Sequence, residues 1–589
     1  MTAALLIQRL VRRRVAPKEL LQGLPADMHP VLQRVYAARQ AGADQLEATL
    51  PRMIPVGAFG GTAAAAKRLA DARARQERVL ILGDYDADGA TATALCVSCL
   101  RAMGFASVDY LVPNRVEFGY GLSVAIADEA AKLSPDLIVT VDNGISSIAG
   151  VERAKQHGID VLVTDHHLPG AELPAACVIV NPSLAVESFP SKCLAGVGVA
   201  FYVLAALGRL LADQGVLDRG QGQAIVANGL DLVALGTVAD LVSLDYNNRI
   251  LVAEGLARMR AGRARPGIRA LFSVAGRNIS DAGSGELAFQ IAPRLNAAGR
   301  LEDMSLGIDC LLAESDGEAL RRAQRLDALN DERRVVQAQM ETEARGLVAR
   351  ALGELDKGEL GKDKDEHDAW CLFDANWHEG IVGLVASRIK DRVARPVVAF
   401  ANSGTEGLMK GSARSIKGIH IRDVIDAIAV SQPDLVVTFG GHAMAAGLTI
   451  AADKLAAFRA AFAAEVGRHE DALNAPDVIW TDGELTAGDL SLELAEALRS
   501  GGPWGQGFPE PVFENVLEVV EFRVLKDAHL KLRVSHPDGG GLTDAIVFNQ
   551  AQFPDGYDGS KLKLVYRLDV NEFRNRRTAQ LVVEHMQSA

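Results

Sequence analysis

The chain has little of what marks secreted, membrane-spanning or strongly basic proteins. Only six cysteines occur in 589 residues, at irregular spacings, so we expect no disulfide framework and predict a reducing compartment, the cytoplasm. The N-terminal stretch lacks the apolar core and cleavage site of a signal peptide. The longest apolar run, from Cys193 to Gly208, is short for a membrane span, so we expect a buried helix and no membrane contact. With a net charge of −13, the molecule could bind nucleic acid only through a local basic groove.

Three aspartates follow a short apolar run near the start of the chain. Residues 79–82 predict a buried strand, and Asp84, Asp86 and Asp88 then alternate with other residues up to Gly89. Because alternate side chains of an extended segment share one face, the three carboxylates are expected to converge. Carboxylates this close repel one another, and a bound cation relieves that repulsion. A plain Asp-rich turn without a metal is the alternative.

Further apolar runs also end in acidic or imidazole side chains. We predict strands at three of them, 137–141, 160–164 and 232–239, which are followed by Asp142, by Asp165, His166 and His167, and by Asp240, respectively. In open α/β sheets the ligands lie beyond the carboxyl ends of the strands, so these side chains are expected at one edge. Carboxylate and imidazole ligands without cysteine suit Mn²⁺ or Mg²⁺. The sequence therefore predicts a site for divalent metal ions.

Alternating strand and helix patterns divide the chain into five segments. Strands and helices alternate from about residue 51 to residue 261, which predicts a mostly parallel sheet, and a second α/β pattern follows the long amphipathic stretch 315–351. The tail changes to period-2 alternation of basic and apolar residues, as in 530–534 and 561–564. The predicted segments are a helical N-terminal lead-in at 1–50, an α/β domain at 51–261, a helical connector with a long helix and a polar linker at 262–368, a smaller α/β domain at 369–465 and a β-rich region at 466–589.

Two patterns in the second half indicate contacts with phosphate or nucleic acid. Glycines stand beside serine, arginine and histidine in 411–415 and 440–447, where the backbone could approach a phosphate closely, although the glycines could equally serve packing. The basic residues of the tail would give a β-sheet one basic face, which suits a small barrel that binds a nucleic-acid backbone. A generic solvated strand face is the alternative for this second pattern.

Together these motifs resemble those of a known superfamily, the DHH phosphoesterases. The stretches that carry the resemblance are Asp84–Gly89, Asp142–Gly144, Asp165–His167 and Gly236–Asp240, and 440–447 resembles the glycine-rich motif of the associated DHHA1 domain. Within the superfamily the chain is similar to the RecJ family of single-strand-specific 5′→3′ DNA exonucleases, through 113–122, 293–300, 377–388 and 503–513. The similarity implies an α/β protein with a DHH catalytic domain built on a mostly parallel sheet, a long connecting helix, a smaller α/β DHHA1 domain and a C-terminal OB-fold-like β-barrel.

The resemblance implies a site for two divalent metal ions, Mn²⁺ or Mg²⁺. The implied metal ligands are Asp84, Asp86, Asp88, Asp142, His166 and Asp240, with Asp142 and Asp240 bridging the two ions. Leu82 stands where many DHH proteins have a histidine. The implied catalytic residues are Asp142, Asp165, His166 and His167, where Asp165 orients a histidine ring and His167 reaches the scissile phosphate or the leaving oxygen.

The resemblance also implies DNA-binding residues and degradation of the strand from its 5′ end. These residues are Arg115, Tyr120, Arg300, Arg388, Ser412, Arg414 and His442. Arg115, Ser412 and Arg414 would form a pocket for the 5′-phosphate, since an arginine fork suits a terminal phosphate, and Tyr120 would stack on a base. The implied partner is single-stranded DNA, with a single-strand-binding protein and a recombination helicase as further partners of a monomeric enzyme.

The sequence leads to one main hypothesis and two alternatives. The main hypothesis is a two-metal 5′→3′ exonuclease that releases 5′-mononucleotides from single-stranded DNA in recombination and repair. A DHH-family phosphodiesterase for oligoribonucleotides or cyclic dinucleotides is the first alternative, but such enzymes usually end after the DHHA1 domain. A catalytically inactive DHH scaffold is the second, and it would be expected to lack metal ligands that this chain retains.

Overall fold

The N-terminal part of the chain packs against its C-terminal region. The computed structural model describes residues 9–113, 121–356, 368–554, 556–557, 559–573 and 576–589. The first elements are β1 (Leu10–Arg13), α1 (Lys18–Gly23) and α2 (Pro30–Ala38), followed by 3₁₀ turns at Ala43–Gln45, Leu50–Arg52 and Val56–Ala58. β1 pairs in parallel with a strand at Val478–Thr481, near the other end of the chain. The segment 1–50, for which only helices are expected, therefore also contributes a strand.

A five-stranded parallel sheet forms the first α/β unit. Its strands are β2 (Arg78–Leu82), β3 (Ser107–Leu111), β4 (Leu137–Val141), β5 (Asp160–Thr164) and β6 (Val178–Val180), in the order β3-β2-β4-β5-β6. Helices α3 (Thr62–Ala74), α4 (Ala87–Ala102), α5 (Val124–Lys132), α6 (Ile148–Gln156) and α7 (Gly196–Asp213) accompany it. The central strands are apolar and buried almost throughout, as in parallel sheets that are covered on both faces. The predicted α/β fold with a mostly parallel sheet is confirmed.

A helical region follows the sheet. Its helices are α8 (Arg219–Ala227), α9 (Leu230–Ala239), α10 (Tyr246–Arg260), α11 (Pro266–Val274), α12 (Ser284–Glu286), α13 (Ala292–Leu301) and α14 (Ser305–Leu312), with a π-helical turn at Leu287–Ile291. The prediction of a strand at 232–239 is wrong, because α9 covers these residues. The run is buried from Leu230 to Val238, so it has no exposed polar side from which a helical or strand period could be recognised.

One long helix, α15 (Asp316–Asp356), connects the two α/β units. It contains 41 residues and is roughly 60 Å long at about 1.5 Å per residue. Ala323 and Leu326 in its first half are buried in the core of the first unit, whereas Ala344 and Val348 in its second half lie in another core with Trp377. The helix belongs to both cores, and the predicted long connecting helix is confirmed.

The second α/β unit is built on a smaller, mixed sheet. Its strands are β7 (Trp370–Phe373), β8 (Val397–Asn402), β9 (Leu408–Arg414), β10 (Thr438–Gly441) and β11 (Ala445–Ala451), in the order β10-β11-β9-β8-β7. Only β7 and β8 run parallel to each other. The helices of this unit are α16 (Val382–Val393), α17 (Ile421–Ser431), α18 (Leu455–Gly467) and α19 (Glu470–Leu473).

The C-terminal region is a closed β-barrel. It begins with β12 (Val478–Thr481), the partner of β1, and with α20 (Leu492–Ser500). The barrel strands are β13 (Phe513–Leu525), β14 (His529–Ser535), β15 (Thr543–Val547), β16 (Lys561–Phe573) and β17 (Arg576–Ser588), in the order β13-β14-β15-β17-β16. Five strands in a closed barrel fit the predicted OB-fold-like architecture, which is confirmed.

Within the described residues, two helical stretches are long and apolar enough to cross a membrane. They are Gly196–Asp213 and Gly220–Ala239, and 67% of each is buried inside the folded chain. Burial of this kind is typical of the core helices of a globular protein. The buried helix expected within 193–208 is α7.

A buried ion pair between α2 and the barrel region gives a prediction about stability. Arg39 donates two hydrogen bonds to Asp482, at 2.8 and 3.0 Å, and the side chains are 2% and 0% exposed. Arg39→Ala would leave the carboxylate with weaker compensation, so we expect the free energy of unfolding to fall by about 3 kcal/mol. Urea unfolding monitored by tryptophan fluorescence measures the change.

The matched control for that experiment is Arg52→Ala. Arg52 pairs with Glu47 at 3.3 Å, but both side chains are more than half exposed. Its loss should therefore change the free energy of unfolding by less than about 1 kcal/mol. Equal effects of the two substitutions would show that the Arg39–Asp482 pair does not hold the N-terminal helix to the barrel region.

Candidate metal centre

The predicted metal ligands meet at the carboxyl-terminal edge of the first sheet. Asp84 and Asp86 lie in the turn after β2, Asp142 follows β4, and His166 lies just beyond β5. Because these strands are parallel neighbours, their ends lie side by side. Asp240 reaches the same place from the C-terminal end of α9 rather than from a strand.

Seven side chains form overlapping groups with the spacing of metal ligands. Within each group the ligand oxygen and nitrogen atoms all lie within 4.8 Å of one another. The groups are Asp84, Asp86 and Asp142; Asp88, His166 and Asp240; and Asp142, His166 and His167. Asp142 belongs to two of the groups, whereas Asp240 belongs to one. Leu82 has a hydrocarbon side chain that can supply no ligand, and it is fully buried in an apolar core cluster.

Backbone N–H groups hold two of the carboxylates in place. Asp86 caps α4, because its Oδ1 accepts hydrogen bonds from the N–H groups of Asp88 and Gly89, both at 3.0 Å. Asp88 accepts hydrogen bonds from the N–H groups of Gly196 at 2.6 Å and Val197 at 3.0 Å, in the first turn of α7. The positive ends of two helices thus face the carboxylates and stabilise their negative charge.

Asp165 fixes the histidine pair. Its Oδ1 lies 2.7 Å from Nδ1 of His167 and accepts hydrogen bonds from the N–H groups of His166 and His167, at 2.7 and 3.1 Å. Its Oδ2 accepts a hydrogen bond from the N–H group of Ile145 at 2.9 Å. The ring of His167 also stacks on His442, with centroids 5.2 Å apart and planes at 22°. The second α/β unit therefore contributes a side chain directly beside the candidate metal centre.

Asp142 has a strained backbone. Its φ angle is +63°, in the left-handed region that non-glycine residues rarely adopt. The conformation turns the chain sharply at the end of β4, where Asp142 Oδ1 lies 3.1 Å from His166 Nε2. Strain of this kind is typical of functional sites.

Burial and mutual repulsion raise the pKa values of the carboxyl groups. Burial, and then the charge of Asp240, raises the pKa of Asp88 to about 7. Burial, and then Asp86, raises the pKa of Asp240 to about 8. The pKa of Asp142 is also raised well above its ordinary value, by burial and by Asp88. These groups would therefore favour any ligand that cancels their charge.

The pKa values of the two adjacent histidines are shifted in opposite directions. Burial, and then the charge of His167, lowers the pKa of His166, so its ring is neutral and can serve as a metal ligand. For His167 burial is the largest single effect and acts in the same sense, but the hydrogen bond to Asp165 and the charges of Asp165, Asp240 and Asp84 together outweigh it and raise the pKa to about 9. His167 therefore carries a positive charge near neutral pH.

The donor set fits a pair of hard or borderline divalent ions. His166 Nε2 and Asp240 Oδ2 are both buried and make no hydrogen bond within the part of the chain that the structure describes. Their separation is 3.5 Å. Carboxylate oxygens with one imidazole nitrogen are ligands that suit Mn²⁺ and Mg²⁺.

Two side chains that are not among the predicted site residues hold the backbone of the histidine pair. Asn181 Nδ2 donates a hydrogen bond to the carbonyl oxygen of His167 at 2.9 Å, and Ser183 Oγ donates one to that of His166 at 3.1 Å. Both residues follow β6, another strand of the same parallel sheet. The apolar run 178–180 with polar residues after it was the signal that could have revealed them.

The predicted DNA-binding residues have different positions in the fold. Ser412 and Arg414 lie on β9, where Ser412 Oγ accepts a hydrogen bond from Arg414 Nη1 at 3.0 Å. Arg300 on α13 donates a hydrogen bond to the carbonyl oxygen of Gly380 at 3.1 Å. Two more of these residues, Arg388 on α16 and His442 after β10, lie in the second α/β unit, and Arg115 and Tyr120 lie outside the described residues.

The barrel has a less basic surface than its sequence suggests. Most of the alternating basic residues are paired with acids of neighbouring strands: Lys531 with Asp544, Lys561 with Glu518, Lys563 with Glu514, and Arg567 with Glu584. The prediction of a basic barrel face is therefore wrong for these positions. Two exposed aromatic side chains, Phe522 and Phe548, lie on the barrel instead, at 59% and 55% exposure.

The geometry suits the hydrolysis of phosphate esters. Two divalent ions held side by side neutralise a phosphate and provide a nucleophile at neutral pH. A parallel sheet with carboxylates and histidines at its strand ends, followed by a second α/β unit that adds a histidine, is the arrangement of the DHH phosphoesterases. The fold and the site together define a metal-dependent phosphoesterase of this class.

Comparison with known proteins narrows the class to a family. Residues 78–237 match the DHH family N-terminal domain, 368–468 the DHHA1 domain and 481–585 the RecJ OB domain. The chain is 48% identical to the single-stranded-DNA-specific exonuclease RecJ of Dickeya dadantii, over 98% of this chain and 99% of that one. It belongs to the RecJ family.

Solved structures agree with this assignment. The chain is similar to RecJ of Thermus thermophilus in complex with Mn²⁺, with a TM-score of 0.80 and 28% identity over 99% of this chain and 80% of that one. A second structure of the same protein contains Mg²⁺ and gives a TM-score of 0.74 with 27% identity, over 99% of this chain and 78% of that one. The expected cofactors, Mn²⁺ or Mg²⁺, are those of these RecJ structures.

The raised carboxyl pKa values predict that Mn²⁺ binds more tightly as the pH increases. Near pH 6, Asp88 and Asp240, with pKa values of about 7 and about 8, hold protons that the ion must displace, and these protons are lost as the pH rises. Calorimetric titration should show at least about a tenfold higher affinity at about pH 8 than at about pH 6, with proton release near pH 7. An affinity that stays constant over this range would contradict the raised pKa values.

Proposed function

We propose that the chain is a metal-dependent exonuclease that degrades single-stranded DNA from the 5′ end and releases 5′-mononucleotides. The observation that carries this proposal is the complete set of carboxylates and histidines at the edge of the sheet, in a chain 48% identical over nearly its full length to a single-stranded-DNA-specific exonuclease. An inactive scaffold would not need seven buried or half-buried metal-binding side chains in one place.

The proposed roles at the centre follow from the grouping of the side chains. Asp84, Asp86 and Asp142 would hold one ion, and Asp88, His166 and Asp240 the other, with Asp142 close to both and Asp240 the second bridging candidate. When bound, the two ions supply a water nucleophile at neutral pH and neutralise the charge of the scissile phosphate. The raised carboxyl pKa values describe a site that gains stability when cations replace protons.

His167 would act on the reacting phosphate. Asp165 fixes its Nδ1 at 2.7 Å and keeps the ring protonated, so that the other nitrogen can stabilise a phosphate oxygen or give a proton to the leaving oxygen. The ring of His442 packs against it, and burial lowers the pKa of His442 to about 4, so that this second ring adds no positive charge. His442 would therefore help to orient His167 or contact the DNA as a neutral group.

The 5′-phosphate would bind at the end of β9. Ser412 and Arg414 face the first turn of α16, where a Cβ atom at Gly383 would lie 2.8 Å from both Ser412 Oγ and Arg414 Nη2. An arginine, a hydroxyl group and a helix N-terminus are suitable ligands for a phosphate monoester. We propose that Arg115 completes this pocket and that Tyr120 stacks on a base. Only a strand with a free end can place its phosphate there, which would make the enzyme an exonuclease.

The remaining DNA contacts are proposed between the two α/β units and on the barrel. Arg300 and Arg388 would contact the backbone of the strand, and the exposed rings of Phe522 and Phe548 would stack on bases without reading their sequence. We further propose that the enzyme is a cytoplasmic monomer that works in recombination and repair with a single-strand-binding protein and a helicase. The barrel, together with similarity over the whole length, favours long substrates over oligoribonucleotides or cyclic dinucleotides.

Polarity can be measured with two single-stranded DNAs of identical sequence, one labelled at the 5′ end and one at the 3′ end. With Mn²⁺ or Mg²⁺ we expect immediate release of a labelled mononucleotide from the 5′ label only. A chelator, or Asp142→Ala, should abolish release, because each removes the ions or a ligand shared by two of the groups. Early release from the 3′ label would exclude the proposed direction but keep the metal site.

The terminal-phosphate pocket is tested by Arg414→Ala. Wild-type enzyme should degrade 5′-phosphorylated DNA faster than 5′-hydroxyl DNA. In the variant the ratio of these two rates should be about tenfold smaller, because one hydrogen bond to a charged group contributes about 1.5 kcal/mol. The matched control is Arg468→Ala, which removes an exposed arginine of the same unit that pairs with Glu465. An Arg414→Ala enzyme with the wild-type ratio would show that the pocket is assigned wrongly.

A further inference from the structure

Helix α13 contacts the backbone of the metal-binding turn. Asn296 Oδ1 accepts a hydrogen bond from the N–H group of Ala87 at 2.8 Å. Ala87 stands between Asp86 and Asp88 and is the first residue of α4. Asp86 satisfies the next two N–H groups of α4 but not this one, so Asn296 completes the cap of the helix from another element.

A second contact of α13 lies one turn further on. A Cβ atom at Gly299 would lie only 1.8 Å from the carbonyl oxygen of Tyr85, so only glycine allows α13 to come this close to the turn. Tyr85 stands between Asp84 and Asp86. Two residues on one face of α13 therefore touch the backbone at two points between the three aspartates.

The helix itself is held firmly. Leu295 is fully buried, and Arg294 Nε donates a hydrogen bond to Asp327 Oδ1 on α15 at 2.8 Å. On its other side, Arg300 bonds to the carbonyl oxygen of Gly380, two residues before α16 begins. The metal-binding turn, α13 and the N-terminus of α16 are thus connected by direct contacts.

We propose that Asn296 and Gly299 are positioning residues, which hold the turn that carries Asp84, Asp86 and Asp88 in the geometry that binds the divalent ions. Neither side chain needs to touch metal or substrate, because both act through the backbone of the turn. Since the same helix also contacts the segment before α16, it would set the distance from the ions to the terminal-phosphate pocket. The role in setting this distance rests on the proposed function, whereas the effect on metal binding does not.

The test compares Asn296→Leu, which keeps the size but removes the acceptor, with Asn296→Asp, which keeps an acceptor oxygen. Supporting groups of this kind typically affect metal affinity by about 10–100-fold. Calorimetry should show at least about a tenfold higher Kd for Mn²⁺ with Asn296→Leu and a value within about threefold of wild type with Asn296→Asp. At saturating DNA, kcat should fall in Asn296→Leu while KM for DNA stays within about threefold, because the DNA contacts are unchanged.

The matched control is Asn278→Leu, since Asn278 Oδ1 accepts a hydrogen bond from the N–H group of Ser280 at 3.1 Å in a turn away from the metal ligands. It should leave the Kd for Mn²⁺ unchanged. If Asn296→Leu does not fold, Asn296→Ala carries the same expectation with less added bulk. Wild-type affinity in a folded variant that lacks the acceptor would overturn the proposal, as would equal weakening in Asn296→Asp.

The proposed function and the positioning role of Asn296 can be contradicted independently of each other. If the wild-type protein binds Mn²⁺ but releases no 5′-mononucleotide, the proposed function is wrong, and the comparison of Kd values still decides the role of Asn296. If the wild-type protein degrades DNA from the 5′ end and the Asn296 variants bind Mn²⁺ normally, the proposed function stands and the positioning role is wrong.

Discussion

The crowding of carboxylates at one edge of a sheet is the constraint on which the rest of this structure depends. Asp84, Asp88 and Asp142 are almost completely buried, and Asp86 and Asp240 are half-buried beside them. Like charges this close could not all remain ionised without compensation. Without a metal the compensation comes from bound protons and from the N–H groups of α4 and α7, and with a metal it would come from the ions. Much of the surrounding architecture serves to supply this compensation and to keep the side chains from moving apart.

The second α/β unit is connected rigidly to the unit that contains the crowded carboxylates. Because α15 contributes to the cores of both units, their separation is set by one continuous helix, and a hydrogen bond from Trp377 to Glu343 of 2.9 Å adds a further connection. The same unit brings His442 onto the ring of His167. A site completed by side chains from two units needs such a rigid connection, since a small displacement would separate the stacked rings.

The parts of the site that could be predicted from the sequence are those with a local pattern. Asp84 to Asp88, Asp142 and the pair His166–His167 all follow short apolar runs, and parallel strands bring such positions together. Asp240 was predicted in the right place but on the wrong element, because the apolar run before it has no period and forms α9. Asn296 could not be predicted in its role, since it bonds to the backbone of another element and such a bond leaves no spacing in the sequence, whereas Asn181 and Ser183 follow the apolar run of β6, which was a signal for them.

Electrostatics bears on how an acidic protein can bind a polyanion, and the barrel and the long helix differ in how their charges are arranged. The alternating lysines and arginines of the barrel strands face acids on the neighbouring strands, so their charge is largely cancelled. On α15 and α16 three arginines lie close together: burial, and then the charges of Arg334 and Arg388, lowers the pKa of the half-buried Arg333, and Arg334 also pairs with Asp331 at 3.8 Å. Cations placed together in this way repel one another and favour an anionic ligand. Part of the electrostatic attraction for the strand would thus come from these arginines, and the barrel would contribute mainly through its exposed aromatic rings.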